Sequence, residues 1–153
     1  MVRLSDIDPD MAASLRDAPL PSFEASPWVS PPDLRTARVA IVSTAGIHRT
    51  GDIPFTGHDG DYRIVPGAID DADLSMTHLS INFDRAAYQQ DVNVAFPLAR
   101  LRTLAASGEI GSVAAWHYSF MGATPPEQME PSAREVARLL KGDHVDVALL
   151  IPI

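Results

Sequence analysis

The chain has 153 residues, 46% of them hydrophobic and 21% charged, with a net charge of −8 and a pI near 4.9. That length suits one domain with a single core, and its arginines, among them Arg35, Arg38, Arg49, Arg63, Arg85, Arg100 and Arg102, are scattered and form no basic stripe for nucleic acid. The absence of cysteine excludes disulfides, thiolate metal sites and a Cys nucleophile within these residues.

Residues 1–37 read as a proline-rich N-terminal arm, in which Pro9, Pro19, Pro21, Pro27, Pro31 and Pro32 rule out a long helix or central strand. Its first residues, MVRLSDIDPDMAAS, are acidic and broken by Pro9, unlike a signal peptide. Together with the lack of any apolar run near the ~20 residues of a membrane helix, this gives a cytoplasmic protein with no membrane partner as the expectation. Met11, Leu15 and Ala18 suit one short amphipathic turn. Phe23, Trp28 and Val29 are expected to anchor the arm on the body.

Residues 38–153 carry the periodicity of an α/β domain. RVAIVS (38–43) is a short β-branched run, suited to a strand buried on both faces. A long Gly-, Asp- and Thr-rich loop follows, of the kind that is usually functional or mobile. Tyr62–Val65 is a short strand ended by Pro66-Gly67, and Leu74–Ile81 a further strand. A helix opens at Pro97, buries Leu98, Leu101, Leu104 and Ala105, and is capped by Gly108; Ser112–Tyr118 is then a strand. The unit repeats: Pro131 opens a helix with Val136, Leu139 and Leu140 inward, Gly142 closes it, and Val145–Ile151 is a strand. Two such units imply βαβ crossovers. The expected fold is a layered, mostly parallel sheet with flanking helices, Rossmann-like. The last strand, VDVALLIPI, ends the chain with no covering helix after it; the covering rule for parallel strands makes an incomplete domain the expectation, with a natural edge-strand terminus as the alternative.

In open α/β sheets ligands bind at the carboxyl ends of strands. The polar residues gather at those points: Ser43, Thr44, Gly46 and His48 after the first strand; His78, Ser80, Asn82 and Asp84 at the second; His117, Tyr118, Ser119, Met121 and Gly122 at the third. These loops form one candidate crevice. Thr44-Ala45-Gly46 lacks a phosphate-binding fingerprint and reads equally as a tight turn. His48, His78 and His117 with Asp84 would make a metal site, although none of their spacings is the helical i, i+4 of a metal pair; each histidine alone is more simply a hydrogen-bonded residue. Ser43 or Ser119 beside a histidine lacks a Gly-x-Ser-x-Gly elbow, which disfavours a hydrolase. Asp84, Asp91 and Asn93 read as helix caps as readily as ligand groups. Met121 and Met129 read as core fillers.

Read together, VSTAGIH (42–48), GDYRIVPG (60–67), SMTHLSINFD (75–84), QQDVNVAFPLARLRTLAASGEIGSV (89–113) and HYSFMGA (117–123) resemble, in order, the landmarks of the selenoprotein B family of glycine, sarcosine, betaine and D-proline reductases. The resemblance runs from about Arg38 to Ile153. It implies an oxidoreductase component in which the strand matching VDVALLIPI leads directly into a redox motif, U-x-x-C or Cys-x-x-Cys. The chain as given holds no such residue and no cofactor of its own. An in-frame UGA codon read as a stop, or a truncation, is expected after Ile153, with selenocysteine downstream.

The resemblance further implies a selenolate or thiolate that attacks the amine-bearing carbon of a small substrate held on a partner subunit, typically through a pyruvoyl group. A thioredoxin-like dithiol then reduces the resulting bond. Thr44, His48 and His78 would keep such a nucleophile anionic, while Asp84, Asp91 and Asn93 would organise the adjoining loop. A homo-oligomer is a further expectation. The alternative is a non-catalytic α/β domain binding a small molecule or metal on the same scaffold.

Overall fold

A computed structural model describes residues 3–18, 22, 24–57, 59–80 and 85–153. The elements are α1 (Pro9–Arg16), β1 (Arg38–Ser43), β2 (Ile47–Arg49), β3 (Arg63–Pro66), β4 (Leu74–Met76), α2 (Ala86–Gln90), α3 (Leu98–Ala106), β5 (Ser112–Val113), β6 (Trp116–Ser119), α4 (Pro126–Gly142) and β7 (Val147–Ile151). The fold is α/β, with a mixed, mostly parallel sheet and helices on both faces.

β1 is the centre, as its β-branched run dictates. It pairs in parallel with β7 along one edge, from Val39–Val147 to Ser43–Ile151. Its other edge meets β5 at Arg38–Ser112 and β6 at Val42–Tyr118, both parallel. β3 then adds antiparallel to β6. The α4 crossover thus carries the chain over β1, from β6 on one side to β7 on the other.

Alternation along the strands divides the core. Val39 and Ile41 face a larger cluster with Ile47, Val65, Phe96, Leu98, Leu101 and Ile110, covered by α3. Val42 turns to the opposite face with Tyr118, Phe120 and Val136, covered by α4. α3 ends at a left-handed glycine, Gly108 at φ +74°, as the sequence pattern requires.

Several elements differ from the sequence expectation. The expected strand at 74–81 is only three residues long and lies outside the main sheet, pairing antiparallel with β2 at Ile47–Met76. Leu74 and Met76 pack on the larger cluster while Ser75 between them is polar, so the segment suits a pairing buried on one face better than a place in a sheet buried on both. α4 begins at Pro126, one turn and more ahead of Pro131, which sits inside the helix. Pro125-Pro126 supplies an equally good helix start, and Pro131 removes one early i→i−4 bond on an exposed face. The left-handed residue after α4 is His144 at φ +54°, not Gly142.

The expected strand at 112–118 is broken at Ala114-Ala115 into β5 and β6. β7 is half exposed, with Leu150 60% accessible, because β1 covers only one of its edges among the described residues. In the arm, Asp8 caps an eight-residue α1 through Asp10 N (3.0 Å) and Met11 N (3.2 Å). Trp28 and Val29 are 82% and 85% exposed and so do not anchor the arm; Phe23 lies outside the described residues.

The loop between β2 and β3 is pinned by one side chain. Arg63 donates to the carbonyls of Ile53 (2.9 Å) and Pro54 (3.4 Å), pairs with Asp59 (3.1 Å) and stacks over the Phe55 ring at 4.3 Å.

Asp143, just past α4, holds the broken strand. Its carboxylate accepts Ala115 N–H (2.8 Å) and Trp116 N–H (3.3 Å), the donors freed by the break, and pairs with Arg38 of β1. Removing it leaves two backbone donors to water and one partly buried guanidinium without its carboxylate. Asp143→Ala is expected to cost about 2–3 kcal/mol, read as a lower urea midpoint at unchanged m.

Candidate functional site

The candidate site is built around the carboxyl end of β7, where three separate segments converge on Ile153. From the end of β1, Thr44 Oγ1 accepts Ile153 N–H (2.9 Å) and donates to the Ile153 carbonyl (3.2 Å). Thr44 N–H also donates to Ile151 O (3.1 Å). One hydroxyl therefore grips both backbone groups of a residue 109 positions away.

From the end of β6, Gly122 N–H donates to Thr44 O (2.7 Å). A Cβ on Gly122 would stand 2.3 Å from Ile153 O and 2.9 Å from Thr44 O, so only glycine admits the strand end here.

His78, from the segment after β4, lies beside the Ile153 backbone, close enough for that backbone to raise its pKa. It is buried at 4% exposure, its Nδ1 accepts Ser80 N–H at 3.3 Å, and its carbonyl accepts from Arg85. Burial holds the imidazole below the ordinary histidine range. The neighbouring Ile153 backbone opposes that, and the Arg85 charge reinforces it. The strand end thus meets the Thr44 hydroxyl and N–H and lies beside a largely neutral imidazole, whose own carbonyl is bonded by Arg85.

Behind this surface lies a second layer. Gly46 adopts φ +68°, and a Cβ there would meet Thr77 O at 2.3 Å. Thr77 N–H donates to Gly46 O (2.9 Å), and Gly46 N–H to Phe120 O (2.8 Å). His48, 5% exposed, donates from Nδ1 to Arg49 O (2.9 Å) and meets Thr77 Oγ1 through Nε2 (2.9 Å). Since a carbonyl only accepts, Nδ1 carries a proton, and in that tautomer Nε2 is the acceptor for the Thr77 hydroxyl.

The remaining candidates sit elsewhere. His117 is fully buried on β6, where its Nδ1 accepts the Ile41 N–H (2.9 Å) that the strand break leaves without a β partner. Its proton therefore lies on Nε2, which finds no hydrogen-bond partner among the described residues, and the ring meets Phe96 edge-on at 6.0 Å. Burial, reinforced by the charge of Arg102, lowers its pKa to about 4.

Ser43 Oγ donates to Ala95 O (3.0 Å) and accepts Ala45 N–H (3.1 Å), while Ser119 Oγ accepts Ile47 N–H (2.8 Å). Met121 is buried, with its sulfur against Ala123 N–H. The hydrogen bonds described for these four go to core and turn backbone, not to Ile153.

Asp91 accepts Asn93 N–H (2.9 Å) and the Asn93 side chain (2.9 Å), and Asn93 Oδ1 accepts Ala99 N–H at the start of α3 (3.1 Å). The Asn93 side chain, foremost, holds the Asp91 carboxyl below the ordinary range. Asn82 and Asp84 lie outside the described residues. Among the described residues no three His, Asp or Glu side chains come together as a metal site.

Two contributors went unread in the sequence, Thr77 and Arg85. Thr77 had a signal. On a strand it faces opposite to its neighbour His78, so a hydroxyl beside a candidate histidine must bond something in the layer behind. Arg85 had none.

This converging strand end sits in a chain whose residues 15–152 match the family model of glycine/sarcosine/betaine reductase selenoprotein B. The chain belongs to that family. Among curated proteins it is similar to the D-proline reductase subunit gamma of Acetoanaerobium sticklandii, 33% identical over 121 residues, which cover 77% of this chain and 49% of that one. The chain thus spans about half the length of that relative. No solved structure matches it.

Proposed function

We propose that this chain forms the redox-site scaffold of a dithiol-linked reductase component, with a selenocysteine or cysteine presented immediately after Ile153. The observation that carries the reading is the convergence of Thr44, Gly122 and His78 on the Ile153 backbone. Three segments far apart in sequence fix one strand end with its last peptide pointing into a polar setting. A nucleophile needs that kind of fixation and anionic stabilisation.

In this reading the selenolate or thiolate attacks the amine-bearing carbon of a small amine or amino-acid substrate. The C–N bond breaks, the nitrogen leaves as an amine and a C–Se or C–S bond forms. A neighbouring thiolate then attacks the selenium or sulfur. A Se–S or S–S bond results, and the carbon departs with the electron pair and takes up a proton. A thioredoxin-like dithiol supplies the two electrons that reopen the bond. The pyruvoyl group that activates the substrate belongs to a partner subunit. This chain contributes the polar pocket, with Thr44 fixing the strand end and His78 and Arg85 favouring the anion.

The test is a protein with one cysteine appended after Ile153. Its thiol is expected to ionise about one unit or more below the ordinary 8.5, read from alkylation rate against pH. Thr44→Val is expected to return it toward 8.5. A thiol that titrates like an unstructured cysteine overturns the reading. So does genomic sequence after codon 153 that continues in frame with neither a selenocysteine nor a cysteine codon near that point.

A further inference from the structure

We infer that His48 is a positioning residue that acts through Thr77 to set His78 against the end of β7. This rests on the reading of that strand end as the redox site for its functional consequence, but not for its geometry.

His48 itself does not reach Ile153: both ring nitrogens are committed, Nδ1 to Arg49 O and Nε2 to Thr77 Oγ1. The ring is buried and meets Phe55 edge-on at 6.4 Å, which leaves it no freedom to swing toward the site. What it fixes is the peptide one residue before His78.

Thr77 is held at two points: its hydroxyl by His48 and its N–H by Gly46 O at 2.9 Å, with its carbonyl packed against Gly46 so closely that no side chain fits there. Segment 77–78 has left β4 by then, because the β2 pairing ends at Met76. With no ladder to hold it, its position depends on these side-chain and turn contacts. His78 follows directly and carries its ring to the Ile153 backbone. Rotation about one residue would move that ring by more than the ~0.5 Å within which a site must hold its groups.

The arrangement explains why a histidine serves at position 48. A carbonyl acceptor and a hydroxyl donor must be served by one rigid side chain, and neutral imidazole, with one donor and one acceptor nitrogen, does both.

Two readouts test this in the full chain with the appended cysteine: the titration of His78, followed by its ring carbon-bound proton in NMR, and the thiol pKa. Thr77→Val keeps shape and loses the hydroxyl, while Thr77→Ser keeps the hydroxyl. His48→Leu loses the bond, and His48→Gln keeps an acceptor for it.

Thr77→Val and His48→Leu are expected to move the His78 pKa up toward its ordinary value, as the ring is freed into solvent. Thr77→Ser and His48→Gln are expected to leave it in place. A His78 titration unchanged in folded Thr77→Val overturns the inference, as does one that shifts equally in Thr77→Ser.

The thiol separates the two readings. A His78 shift with no change at the thiol leaves the positioning role standing and removes the redox assignment. An unperturbed His78 beside a low thiol pKa does the reverse.

Discussion

Gly46→Ala is expected to lower the melting temperature by about 6–12 °C, corresponding to about 3 kcal/mol in a chain of this size. Two costs add. The backbone at φ +68° disfavours any side chain, worth about 1–2 kcal/mol. The new Cβ would stand 2.3 Å from Thr77 O and 2.8 Å from Thr77 C, rigid backbone that can only retreat by detaching from β1's trailing turn.

Gly108→Ala provides the control. It has a similar φ of +74° with nothing within 4 Å of the added carbon, so it carries the backbone cost alone and should lose about 1–2 kcal/mol. The difference between the two, measured by circular dichroism melts, isolates the close approach. Equal losses would show that segment 77–78 yields freely.

The second large effect is in acid. His117 titrates at about 4 in the folded chain against 6.5 in the unfolded one. The unfolded state therefore binds a proton that the folded state refuses. Stability is full above pH 6.5, falls progressively below it, and levels off once pH drops beneath about 4. The loss is on the order of 3 kcal/mol, from the size of that shift.

His117→Asn places an amide oxygen where Nδ1 accepts the Ile41 N–H, and it does not titrate. It should flatten this limb of the pH–stability curve while costing little more than a cavity at neutral pH. Urea midpoints taken at intervals between pH 7 and 4 decide it. A limb of unchanged steepness in His117→Asn would assign the acid sensitivity to the carboxylates instead.

Much of the fold was legible because its dominant signals are local. The β-branched run of β1, the Pro97–Gly108 helix and the helix-then-strand repeat follow from periodicity and capping, and the parallel pairing of β1 with β6 and β7 follows from their order. What was misread depends on distant partners. β4 pairs with β2 because of where the loop returns, and nothing inside residues 74–81 announces that. The helix start was ambiguous because Pro126 and Pro131 both fit a first helical position.

The candidate site was legible in the same partial way. Thr44, Gly122 and His78 follow strand ends, and all three contact the Ile153 backbone or crowd it. His117, Ser43 and Ser119 also lie at strand ends, but their side chains point into the α3-covered core. A sheet covered on both faces buries polar and apolar residues alike, so alternation could not separate them. Each instead bonds a backbone group that the broken ladder or the turn leaves over, an arrangement visible only once Ala114-Ala115 is known to interrupt the strand.

The exposed arm bears on how the molecule is observed. Its two tryptophans are Trp28, 82% exposed, and Trp116, 45% exposed, and neither belongs to either core cluster. Emission from Trp28 is therefore already that of a wet fluorophore, and only the half-covered Trp116 is placed to respond when the sheet melts. The same property makes Trp28 a reporter of a different event. Any surface that covers the N-terminal segment will shift its emission to the blue while the folded domain stays silent.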